Sequence, residues 1–135
     1  MTTLYHAHSG LRYLVILAAI AALVALAYAL ATNRAVRAAQ RLSTAFTGLL
    51  DVQILLGVAL FFSGVFPDVV VGHLVCMVLA AAATHGSSIV GRRSSDERRE
   101  LVIRLGGILL ALVLIAVGIM AIGRGVFESR PLAVR

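Results

Sequence analysis

The chain has 135 residues, 61% of them hydrophobic and only 13% charged, with a mean hydropathy of +1.01. A water-soluble domain needs far more charged surface, so composition places the chain in a lipid bilayer before any motif is read. The formal charge of +6 is carried by arginine without lysine, and the arginines cluster between apolar runs, where membrane topology explains them without a nucleic-acid partner.

Four apolar stretches, at about 11–30, 42–62, 69–90 and 101–122, each reach the roughly 20 residues a bilayer crossing requires. No basic segment precedes the first and no convincing cleavage site follows it, so it reads as a retained helix rather than a signal peptide. His6 and His8 stand at its mouth, Arg12 lies one turn below His8 on the same face, and Thr32-Asn33-Arg34 closes it. The second stretch carries Asp51 near mid-membrane, in line with Thr44, Thr47 and Gly48. Gln53 projects from another face and suits a bond to a neighbouring helix. Ser63-Gly64, with Pro67, ends this helix.

The third stretch is the richest. It runs through Gly72-His73-Leu74-Val75-Cys76-Met77 to Thr84-His85-Gly86, placing two histidines, a cysteine and a methionine in one apolar run. An ionisable side chain in hydrocarbon is costly, and is a functional hypothesis by default. Residues 91–96 end that helix, and Ser95-Asp96 can cap the next. The fourth helix has no polar side chain between Arg104 and Arg124 and reads as structural.

Arg34, Arg37 and Arg41 fill the first connection and Arg92, Arg93, Arg98 and Arg99 the third, while residues 63–68 contain none. By the positive-inside rule the first and third connections are cytoplasmic and both termini face outward, although Arg124, Arg130 and Arg135 pull mildly the other way. The expected fold is all-α, an integral membrane up-down-up-down four-helix bundle forming one domain over 1–135. Small residues four apart (Ala18 and Ala22; Ala21, Ala25 and Ala29; Gly107 and Ala111) favour close helix packing in lipid. Helices one and three both open on histidine and close on arginine, an echo that would make His8 and His73 counterparts.

Depth sorts the candidate ligands. His85 lies roughly 18 Å deeper than His73 and about 120° around the helix, so the two cannot ligate one metal. His8 and His73 lie at equal depth on helices that are diagonal in such a bundle, as two axial ligands of one haem iron must. Met77, one turn from His73, would pack on the porphyrin or replace a histidine, and Gly57 and Gly72 leave room for the macrocycle. Arg12 suits a haem propionate. Plainer readings stand beside these. In them His73 only bonds a loop carbonyl; His6 and His8 are solvated, or His6 substitutes for His8; Arg12 snorkels to headgroups; Cys76 is a small apolar residue. His85 reads as a hydrogen-bond partner of Asp51 or Ser88 before it reads as a ligand. Asp51 with His85 suits proton uptake or a quinone head group.

Three segments, His6-Ala7-His8-Ser9-Gly10-Leu11-Arg12-Tyr13, Asp51-Val52-Gln53-Ile54-Leu55-Leu56-Gly57 and His73-x-x-x-Met77, resemble small bacterial four-helix integral membrane proteins of cytochrome b-like type. The similarity runs over nearly the whole chain. It implies haem b held by His8 and His73 with Arg12 on a propionate, electron exchange with quinone or a partner protein, and residence in the bacterial cytoplasmic (inner) membrane. It gives Asp51-x-Gln53 no chemical role.

The expectation is therefore a haem b-binding electron-transfer subunit or anchor of a larger redox complex, relaying electrons between quinone and an extracytoplasmic partner. It is not expected to be an enzyme on its own, because its loops are too short to house a catalytic domain. One rival is a cofactor-free accessory subunit whose polar residues lock helix packing. Another is a copper site or small transporter built on His6, His8, His73, Cys76 and Met77, a soft donor set. A four-helix drug exporter fits poorly, since helix one lacks the intramembrane glutamate such exporters use.

Overall fold

The computed structural model describes residues 2–64 and 69–123 as four helices, α1 (Thr2–Thr32), α2 (Val36–Phe62), α3 (Val69–Arg92) and α4 (Glu97–Ala121). All four are long and apolar enough to cross a membrane. Pro67 and the tail arginines lie outside the described residues. The helices outrun their apolar stretches: α1 begins at Thr2 rather than near residue 11, and α2 at Val36 rather than near 42. Hydropathy marks only the part of a helix inside hydrocarbon; on α2 Arg37, Gln40 and Arg41, good helix formers, carry the hydrogen-bond ladder past its edge, whereas residues 2–10 of α1 include neither arginine nor glutamine. At 31 residues α1 is about 46 Å long against a hydrocarbon core of about 30 Å. His6 and His8 thus ride on α1, and Arg37 and Arg41 on α2 rather than in the connection.

Helix starts differ in chemistry. Asp96 caps α4, its carboxylate accepting from the Arg98 amide at 3.0 Å, and Glu97 and Glu100 complement the positive end of the dipole. At the head of α2, Ala35 sits in the left-handed region (φ 56°) and makes no side-chain cap.

The seam of α1 is Val15, Ala19, Ala22, Leu26 and Ala29, all buried and spaced alternately four and three. That alternation keeps a row on one side of a helix and gives coiled-coil-like crossings. The row Ala21, Ala25, Ala29 is not the seam. A strict four-residue row drifts around the helix, and Ala21 is exposed. On α4, Gly107 lets α3 come close, because a methyl group there would run into Ser87 and the Ala83 carbonyl. Among the described residues α1 packs on α2 and α4, α3 packs on the same two, and α1 does not touch α3. The first and third helices occupy opposite corners.

Much of the burial pattern recurs between the two hairpins, although Ala22, Ala29 and Thr47 fall on the half-buried Ser87, Ser94 and Leu112, and the buried Gly107 on the exposed Leu42. A shift of 65 residues (from 8 to 73) carries the buried Val15, Ala19 and Leu26 onto Ala80, Thr84 and Gly91, also buried. The same shift carries Ala39, Ser43, Phe46, Leu50 and Gln53 of α2 onto Arg104, Ile108, Ala111, Ile115 and Gly118 of α4, again all buried. The packing pairs obey the same exchange of α1 with α3 and α2 with α4. His8 and His73 are equivalent positions in two like halves.

One end of the bundle is tied by a buried charge. Arg104 is 2% exposed; its Nε donates to Glu100 Oε1 at 2.8 Å and its Nη1 to the Ser43 and Ser88 hydroxyls at 3.4 and 3.3 Å. Gln40 Nε2 donates to Glu100 Oε2 at 3.0 Å, so α2, α3 and α4 meet at one ion pair. Removing one partner of such a pair costs about 3–5 kcal/mol, whereas replacing both by apolar groups is often neutral. Arg104→Ala is expected to lower the unfolding free energy in detergent by about that amount. Arg104→Met combined with Glu100→Leu should recover most of the loss, and equal losses in the single and double variants would contradict the assignment.

Candidate functional site

Away from the Arg104 cluster, His8 and His73 come to one cavity. His8 leans on α2, with Nδ1 3.2 Å from the Gln53 carbonyl oxygen. A carbonyl only accepts, so Nδ1 carries the proton and Nε2 the lone pair. Gln53 answers with its side chain, whose Nε2 donates to the His8 carbonyl at 2.9 Å and to His8 Nε2 at 3.4 Å. The ring lies over Gly57, where a Cβ would come within 3.0 Å of His8 Cε1. The imidazole fills that space, so Gly57 does not leave the room for a macrocycle expected of it. Gly72 is exposed beside Ala121.

His73 repeats the arrangement in the other half. Its Nδ1 donates to the Gly118 carbonyl of α4 at 3.0 Å, with the same separation of 45 residues between ring and carbonyl as in the His8 pair. The acceptor is a helix carbonyl rather than one in a loop. Gly118 has to be glycine for this contact. A Cβ there would lie 2.8 Å from Cys76 Cβ, 3.0 Å from Met77 Cε and 3.4 Å from His73 Nδ1.

A cavity of about 60 Å³ lies between these histidines, and His8, Arg12, Gln53, His73 and Met77 are all in its wall. Leu50 and Ile115, counterparts in the two hairpins, line it as well. Gln53 is 7% exposed, and its Oε1 is buried with no hydrogen-bond partner among the described residues. An acceptor buried in that state costs about 1–3 kcal/mol and marks a place for a donor. Arg12 lies with its guanidinium 5.0 Å from the Tyr13 ring centroid and donates to the Tyr13 hydroxyl at 3.1 Å. Met77 is buried. His6 is exposed, packs edge-on against Tyr5 and is not in the cavity wall.

Asp51 and His85 come together elsewhere. His85 Nε2 is 3.0 Å from both Asp51 carboxylate oxygens, on the outer surface of α2 and α3, and the side chains are 53% and 40% exposed. Thr44 and Gly48 are exposed as well, whereas Thr47 is buried and donates to the Ser43 carbonyl at 3.2 Å. Ser88 is bound to Arg104.

His8 and His73 are the side chains in the cavity wall that could hold a haem iron, although the Gln53 amide already faces His8 Nε2 at 3.4 Å. Both histidines spend their Nδ1 protons on carbonyls, the arrangement that orients a metal-ligating imidazole. The volume is the obstacle, since 60 Å³ holds a few waters while ligand sites usually span about 300–1,000 Å³. A macrocycle enters only if the His8 ring leaves its seat on Gln53 and Gly57. Among the described residues no three His, Cys, Asp or Glu side chains gather into a metal-holding group.

Sequence reasoning passed over Gly118 and the Glu100–Arg104 pair. The four-residue spacing of the pair was a usable signal, but a helix begun at residue 101 leaves Glu100 outside it. Nothing distinguishes Gly118 from any other glycine in an apolar helix. Compared with known protein families, characterised proteins and solved structures, the chain finds no match.

The glycine geometry is testable. Gly118→Ala is expected to cost about 1–3 kcal/mol of stability through overpacking against His73, Cys76 and Met77. Gly106→Ala, on the open face of the same helix with nothing within 4 Å, should stabilise by about 0.5–1 kcal/mol. Unfolding in detergent measures both, and a neutral Gly118→Ala would refute the close contact.

Proposed function

We propose that this chain is a membrane electron-transfer subunit or anchor of a larger redox complex that holds haem b between His8 and His73. In this reading it crosses a bacterial inner membrane up-down-up-down, with both termini outside and the arginine-rich connections in the cytoplasm, as the positive-inside rule favours. The observation that carries the proposal is the equivalence of the two histidines. They occupy matching positions in the two halves, make the same Nδ1–H bond to a helix carbonyl 45 residues on, and share one cavity wall. A bound haem would supply one-electron exchange at its iron. The chain's own part would be to fix the His73 tautomer through the Gly118 carbonyl, free the His8 ring from Gln53 to face it, keep the site dry with α2 and α4, place Arg12 for a propionate and pack Met77 against the ring.

The exposed Asp51–His85 pair supports the partnership. A pair that faces outward from a membrane helix needs a protein neighbour or a polar head group such as that of a quinone to cover it. A second reading, a cofactor-free accessory subunit, is favoured by the small cavity and by the hold of Gln53 on His8.

A reduced-minus-oxidised optical spectrum of protein purified in detergent from haem-replete cells decides between them. The haem reading expects a b-type band in the wild type and in His6→Ala, lost in His8→Ala and in His73→Ala. No band in the wild type would leave the accessory-subunit reading standing.

A further inference from the structure

The arginine end carries a pocket that electron transfer does not use. It is a shallow, open recess of about 560 Å³, lined by Arg37, Gln40, Arg41 and Thr44 of α2, Arg92 of α3, and Glu100 and Arg104 of α4. Four arginines face one carboxylate, and that carboxylate is already engaged by Arg104 on one oxygen and by Gln40 on the other. Arg37, Arg41 and Arg92 are exposed and have no side-chain partner among the described residues. The backbone adds to the positive field, because α2 starts here with no acidic residue in its first turn and no side-chain cap. Arg37 and Arg41, one turn apart, also repel each other.

The like halves of the fold supply an internal control. The 65-residue shift carries Arg37, Gln40, Arg41 and Thr44 of α2 onto Val102, Leu105, Gly106 and Leu109 of α4, and Arg104 corresponds to the buried Ala39. The other half carries apolar residues at those places, and its Val102, Gly106 and Leu109 are exposed just as Arg37, Arg41 and Thr44 are, so none of these positions serves to pack the helices. Helix packing alone does not call for these charges.

We infer that this pocket binds a phosphate group, that of an acidic phospholipid headgroup such as phosphatidylglycerol. Arginine forks match phosphate oxygens geometrically, and basic pockets between spanning helices recur as headgroup sites. Arg37 to Thr44 covers about 10 Å along α2, a headgroup's depth from helix end toward hydrocarbon. Gly48, one turn beyond Thr44, is exposed with nothing within 4 Å of its Cβ position, which leaves a shallow track for an acyl chain. A free phosphate from solution would use the same arginines but not the track.

The test is thermal melting of the full chain in detergent micelles, titrated with phosphatidylglycerol, phosphatidylcholine or inorganic phosphate. Phosphatidylglycerol should raise the melting temperature saturably, and phosphatidylcholine should not. R37Q/R41Q should melt as a folded protein without lipid and bind phosphatidylglycerol about thirtyfold more weakly. R93Q/R99Q, which removes equal charge from exposed positions outside the pocket, should bind as the wild type does. A shift with inorganic phosphate that R37Q/R41Q abolishes would support the same pocket as a site for soluble anions. An unchanged response in R37Q/R41Q, an equal loss in R93Q/R99Q, an equal shift with phosphatidylcholine, or no shift with any anion would overturn the inference.

Discussion

The Arg104–Glu100 pair is the interaction around which one end of this bundle is built. A guanidinium in a nearly water-free setting has to find acceptors, and here a carboxylate and two serine hydroxyls from neighbouring helices provide them. The requirement fixes the rotation of α2, α3 and α4 about their axes, because each must turn a specific polar side chain inward at one level. Lipid offers little apolar driving force between helices, so such polar ties and close small-residue contacts specify the packing. Gly107 against Ser87 continues the α3–α4 contact toward the other end.

At that other end two histidines do equivalent work. Each anchors the start of one helix to the end of its hairpin partner through an imidazole proton and a helix carbonyl. The two halves then diverge. Gln53 adds its side-chain amide to the His8 contact, whereas its counterpart Gly118 has only a backbone to offer, and Arg12 corresponds to Met77. A symmetric framework with unlike walls presents two imidazoles to one cavity while giving the two sides different polarity.

The ends also differ in what they offer to their surroundings. The histidine cavity is small and mostly apolar, while the arginine pocket is open and basic. Between them Asp51 and His85 interrupt an otherwise apolar outer surface. A bundle that only needed to pack would have no reason to place a hydrogen-bonded carboxylate and imidazole there.

The sequence by itself determined the number of helices, their apolar cores and the residues worth watching, because hydrophobic run length and ionisable side chains in hydrocarbon are strong local signals. It also brought His8, Arg12, His73 and Met77 forward together, and all four share one cavity wall. It placed helix ends too far in at α1, α2 and α4, since hydropathy does not register helix outside the hydrocarbon. The tertiary structure alone decided that Gln53 meets His8 and that Gly118 receives His73. It alone decided that Ala19 rather than Ala21 lies in the seam and that the Asp51–His85 pair faces outward. Those outcomes depend on how each helix is rotated against its neighbours. Rotation is set by contacts between residues far apart in the chain, and a uniformly apolar helix carries little one-sided pattern from which to read it.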